Sequence, residues 1–247
     1  MKKLKVLLVS LLFIPINLLA YSEYIIPGGE NIGININSKG LVIVGFYKVN
    51  GKYIASENLK VGDTILTIEN NEINSINEMS KVIDNNIKNN EVNIKILRNN
   101  KEINTKLKLV KEDNVYKTGL YIKDKVTGIG TLSYIDPISK VYGSLGHSIL
   151  MNESNNNIEI RNGDIYKSYV SGIDRSVDGK VGSKNASIDY KNKLGTIEKN
   201  TDVGIFGIYK EKIPDKDLIK VSNFEDITLG KAYIYTTLEG EDLQMYE

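Results

Sequence analysis

Apolar and polar positions alternate with period two through most of the chain, in short runs separated by Gly, Asn and Asp. That period belongs to half-buried β-strands. Tyr24 to Ile36 ends in such alternation, and Leu41 to Tyr47 (LVIVGFY) is a continuous apolar run that reads as a buried strand. Gly62-Asp63 marks a turn, Thr64 to Ile68 a strand, and Asn70-Asn71 a second turn. The period then changes once. Ile76, Met79, Val82, Ile83 and Ile87 recur at helical spacing, with Asn74 or Ser75 as the cap. Val92 to Leu97 and Ile103 to Leu109 alternate about Asn99-Asn100, which predicts a β-hairpin because Asn tolerates the positive φ of a tight turn.

From Lys117 onward the strands are short and regular, and no long amphipathic helix is predicted. Thr118 to Asp124, Thr127 to Ile135, Lys140 to Leu150, Ile158 to Ile160, Asp164 to Gly172, Leu194 to Ile197, Gly204 to Tyr209 and Lys231 to Thr237 make up the set. Asp174 to Asn185 reads as a polar loop. Many short strands with turn signals predict a barrel or a sandwich. The whole is therefore mainly β, in two modules.

The N-terminus follows another pattern. Met1 to Lys5 is basic, and Val6 to Ala20 is an uncharged apolar run of 15 residues. As a helix it would cover about 22 Å, short of the roughly 30 Å hydrocarbon core. Residues 1–22 are thus expected to be a signal peptide or a membrane anchor, giving a secreted or membrane-associated, extracytoplasmic protein. Leu18 suits the −3 position of a cleavage site after Ala20 poorly, so cleavage stays open.

Composition removes several chemistries. Lys+Arg 32 against Asp+Glu 31 gives a net charge of +1, without the basic excess of a nucleic-acid binder. Zero Cys excludes disulfides, thiolate nucleophiles and zinc ribbons, and a single His excludes a multi-His metal site. That one histidine is His147, in Tyr142-Gly-Ser-Leu-Gly-His-Ser-Ile149, where two glycines imply a tight turn. An imidazole so held can act as general base for a serine hydroxyl if a third group orients it. Spacing alone selects no serine and no acid: Tyr142-Gly-Ser144-Leu-Gly146 lacks the first Gly of a G-x-S-x-G elbow.

Asn31-Ile-Gly-Ile34, Val61-Gly-Asp-Thr-Ile-Leu66, the helix and the hairpin, in this order, resemble a bacterial PDZ domain. The resemblance implies that a peptide adds as a strand beside the helix, with its terminal carboxylate on the backbone of Asn31, Ile32, Gly33 and Ile34. Gly119-Leu-Tyr-Ile-Lys-Asp124, Gly128-Ile-Gly-Thr131, Tyr142 to His147 and Gly204-Ile-Phe-Gly207 then resemble the SpoIVB-type sporulation serine peptidases. That implies a PDZ-like domain over 23–111 and a chymotrypsin-like β-barrel peptidase domain over 112–247, with His147 as general base and no cofactor. It further implies a signalling endopeptidase in the space between the forespore membranes, whose action on a protein substrate leads to activation of the late mother-cell sigma factor. The groove would take the protein's own N-terminal region or another peptide. The family's G-M-S-G-S-P nucleophile stretch does not occur in the sequence. The peptidase domain is therefore expected to be incomplete and inactive alone. The alternative is a secreted PDZ-containing regulatory protein without catalysis.

Overall fold

The computed structural model describes residues 22–55, 57–87, 89–150 and 159–247. The expected signal or anchor, residues 1–21 of it, lies outside them. No helix of the described residues is long and apolar enough to cross a membrane.

The strands run β1 (Tyr24–Pro27), β2 (Asn31–Phe46), β3 (Thr64–Ile68), β4 (Asn71–Glu72), β5 (Glu91–Arg98), β6 (Lys101–Lys108), β7 (Val110–Glu112) and β8 (Val115–Lys117). There follow β9 (Leu120–Ile135), β10 (Val141–Ser144), β11 (Ile160–Asp174), β12 (Ser183–Thr201), β13 (Gly204–Tyr209), β14 (Ile219–Lys220), β15 (Ile234–Thr237) and β16 (Leu243–Tyr246). The helix α1 (Ile76–Asn86) separates β4 from β5.

Six antiparallel strands close on themselves in the order β2, β9, β10, β13, β12, β11 and back to β2. Closure removes the exposed edges that invite mispairing. The barrel interior is packed with Ile32, Ile34, Ile36, Ile165, Ile197 and Ile205, with Tyr142 fully buried among them. Burial pushes the Tyr142 phenol strongly upward, and its hydroxyl donates to the Thr196 carbonyl at 3.0 Å.

The second core belongs to an excursion between two barrel strands. Leu41, Ile43, Ile65, Ile96 and Leu107 close over Met79 and Ile83 of α1. Ser75 caps the helix by accepting from the Glu78 N–H, as the sequence predicts, and the Asn99-Asn100 turn has both residues at positive φ. Asp63 is buried and held by Arg98 through two contacts of 2.6 Å.

β2 and β9 are long because each serves both cores. Asn31 to Asn37 of β2 pairs with Lys125 to Thr131 of β9 in the barrel, while Val42 to Phe46 pairs with Leu120 to Lys123 beside the helix. The two short strands expected at Thr118–Asp124 and Thr127–Ile135 are thus one strand of 16 residues. The two long strands also tie together the modules expected on either side of 111/112. Residues 24–37 pack in the barrel core, so the helix-bearing module is inserted into the barrel instead of preceding it. The loop expected over Asp174 to Asn185 is shorter, because β11 and β12 pair as far as Asp174 and Ser183. β15 and β16 form a hairpin across Glu239-Gly240.

Candidate active site and peptide groove

His147 stands on the segment that leaves the barrel after β10. The β9–β10 register shifts at Gly143/Ser144, and the next two residues turn left-handed, Leu145 at φ 77° and Gly146 at φ 87°. A non-glycine residue there is strained by roughly 1–3 kcal/mol and persists only where its surroundings hold it. Three contacts do so. The Leu145 N–H donates to the Thr131 carbonyl at 3.1 Å. The Leu145 side chain covers Gly130, where a Cβ would lie 2.3 Å from Leu145 Cδ2. Gly204 lets the turn before β13 approach closely, since a Cβ there would lie 2.5 Å from the Ser144 carbonyl oxygen.

The far side of the segment is clamped by Asn200. Its Oδ1 accepts from the Ile149 N–H at 2.8 Å and its Nδ2 donates to the Ile149 carbonyl at 2.8 Å. His147 lies exposed between these anchors. Its Nδ1–H donates to the Ser148 carbonyl at 2.9 Å. The carbonyl can only accept, so in the neutral ring Nε2 carries the lone pair and is free to take a proton.

Among the described residues, neither a hydroxyl nor a carboxylate bonds the imidazole. Ser144, three residues earlier, is 3% exposed and its Oγ has no hydrogen-bond partner, so it points into the barrel and cannot meet a substrate. Ser183 lies across the β11–β12 hairpin, against Asp174. The arrangement supplies a positioned base.

Asn31, Ile32, Gly33 and Ile34 are not a loop. They form the start of β2, all buried, with β9 on one edge and β11 on the other. Asn31 donates its side-chain amide to Ser168 Oγ at 2.8 Å inside the protein. Gly33 is required by packing: a Cβ would lie 2.4 Å from Ile188 Cγ2. With both edges paired, no ligand strand can add there. This corrects the expected carboxylate loop.

The helix faces a different strand. The Ile76 N–H of α1 donates to Asp124 Oδ2 of β9 at 3.2 Å. Between them lies a cavity of about 430 Å³ whose lining includes Ile76, Ile122, Asp124, Val126 and Leu150 together with Lys123 and Lys125. β2 pairs with one edge of β9 over Leu120 to Lys125, and no strand of the described residues pairs with the other. Gly119, at φ 72°, immediately precedes this strand, and its carbonyl accepts from the Tyr47 N–H at 2.9 Å. An unpaired strand edge beside a helix is the geometry into which a peptide adds as a strand.

The family model for SpoIVB peptidase S55 matches residues 114–247, more than half of the chain. The chain belongs to the SpoIVB peptidase S55 family. A PDZ domain model matches residues 32–109. In this S55 peptidase the matched PDZ span begins on a barrel strand and ends before β9 supplies the open edge beside α1. No curated protein matches the chain.

Asn200 and the edge of β9 beside α1 escaped the sequence reading. The Gly128-Ile-Gly-Thr131 and Gly204-Ile-Phe-Gly207 motifs were visible. Their link to His147 became readable only when the barrel brought Gly130 and Gly204 against Leu145 and Ser144.

Proposed function

We propose that this chain is an exported serine endopeptidase of the SpoIVB type, acting in sporulation signalling, with His147 as its general base. The observation that carries the reading is His147 held between two anchors, with Nδ1 committed to a backbone carbonyl and Nε2 left free. In the acylation step Nε2 takes the proton of a serine hydroxyl as its oxygen attacks the scissile carbonyl, and later returns it to the leaving amine. The Ser148 carbonyl stabilises the imidazolium through the Nδ1–H.

The nucleophile is proposed to come from a G-M-S-G-S-P-like segment, which this sequence does not contain. The PDZ groove, taken here as the α1–β9 groove, would hold a peptide, the protein's own N-terminal region among the candidates. Export rests on the Lys cluster and the apolar run of 15 residues. The proposed setting is the space between the forespore membranes, where cleavage of a regulator leads to late mother-cell sigma factor activation.

The second reading, a regulatory protein without catalysis, is favoured by the lack, among the described residues, of a hydroxyl bonded to His147. A serine-directed fluorophosphonate separates the two. The chain alone should not be labelled. The chain with a G-M-S-G-S-P-bearing segment, supplied in cis or as a second polypeptide, should be labelled and should cleave peptide. No labelling of a folded, combined protein would favour the regulatory reading.

A further inference from the structure

Lys123 and Lys125 lie two apart on β9 and share its exposed face, with Tyr121 and Thr127. Neither makes an ion pair among the described residues. The neighbouring acids are already engaged. Asp124 accepts from the first N–H of α1, and Glu78 accepts from the Asn74 N–H at 2.8 Å. Among the described residues, this edge of β9 therefore presents two cations without an ion pair on one face, and Ile122, Asp124 and Val126 on the other, beside the cavity next to α1. Leu150, three residues beyond His147, lines the same cavity.

We propose that this edge takes an extended peptide in which acidic side chains alternate with apolar ones, and that the bound peptide touches the His147 segment through Leu150. This deepens the reading of the α1–β9 groove as the peptide site and rests on it. A strand added to β9 places every second side chain on the lysine face, directly across from Lys123 and Lys125. Cross-strand pairs of opposite charge are favourable and like charges are not, by about two- to fivefold in affinity per pair. The intervening side chains face the cavity, where Ile76, Ile122, Val126 and Leu150 supply apolar contacts. Because β9 continues without a break into the barrel, a ligand fixed in register on it is fixed relative to the segment that carries His147.

Lysines on an open edge also discourage chance pairing between copies of a protein. The test separates that role from recognition. Fluorescein-labelled ten-residue peptides alternating Val with Glu, or Val with Lys, are titrated against the full chain and followed by anisotropy. The Glu peptide should bind about tenfold or more tightly than the Lys peptide, and less so as salt is raised. In the double variant Lys123→Glu, Lys125→Glu the preference should reverse, a gain of binding that unfolding cannot produce. A photo-crosslinker scanned along the Glu peptide should capture Leu150 from one position and Ile76 from another. An unchanged preference after charge reversal, or crosslinks confined to other surfaces, overturns the proposal. Binding is read without hydrolysis. If the chain combined with a G-M-S-G-S-P-bearing segment stays inactive while the reversal is seen, only the peptidase reading falls; if it is active and the reversal is missing, only this inference falls.

Discussion

Gly33→Ala separates the two places where a peptide could be held. The added Cβ would lie 2.4, 2.8 and 3.0 Å from Ile188 Cγ2, Cγ1 and Cβ. Rotating one methyl cannot relieve all three, so Ile188 or the strand beneath it must move. Gly33 pairs with Ile129 on β9 and Tyr166 on β11, which limits how far β2 can shift. Overpacking of this kind costs about 1–3 kcal/mol. At about 2–4 °C per kcal/mol for a chain of this size, the melting temperature should fall by roughly 2–12 °C. Urea denaturation of the full chain gives the loss, and peptide anisotropy on the folded protein gives the affinity, which should not change. Ile188→Ala in the same chain should recover part of the loss, with a coupling of about 1 kcal/mol, since the residues touch. A Gly33→Ala protein as stable as the parent but binding peptide tenfold more weakly would refute this reasoning. It would put the carboxylate site back on Asn31 to Ile34.

Three further outcomes are expected. Asn200→Ala removes both hydrogen bonds to Ile149 and should cost about 1–3 kcal/mol. Hydrogen exchange should show the Ile149 amide losing protection more than amides on the far side of the barrel. Arg98→Met leaves the Asp63 carboxylate buried without its partner and should cost about 3–5 kcal/mol, seen as early melting of the helix-bearing module by circular dichroism. Burial pushes Asp136 upward, but hydrogen bonds from Ser22, Ile138 and Ser139 outweigh it and hold its carboxyl below the usual range. A lowered folded value means that its stabilisation is complete above the unfolded value near ~3.9 and is lost as pH falls through the folded one. Urea midpoints of Asp136→Asn and the parent should therefore differ at pH 6 and converge as the pH falls through the lowered folded value.

The local elements were legible because each is fixed by neighbours in sequence. The α1 cap at Ser75 and the Asn99-Asn100 turn needed no tertiary information. The barrel was legible as a class, since alternation reports a sheet face. Alternation does not report which strand lies alongside, and there the reading went astray. Asn31-Ile-Gly-Ile34 has the residue types of a carboxylate loop and equally those of a buried strand, with Gly33 making room for Ile188. The pairing with β9, about 95 residues later, decides between them. The same long-range pairing hid the insertion of one module into the other. His147 could be singled out by its uniqueness and flanking glycines. Asn200 could not, since an asparagine more than fifty residues away carries no local sign that it clamps Ile149.

The central claim is that His147 is the general base of an S55 peptidase. It is tested most directly by the rate at which a fluorophosphonate acylates the chain combined with a nucleophile-bearing segment, before and after His147→Ala. His147 is exposed and supports no core contact, so the variant should fold as the parent does. The account predicts that acylation slows by about 10³-fold or more. Equal rates in parent and variant, with both folded, would contradict it.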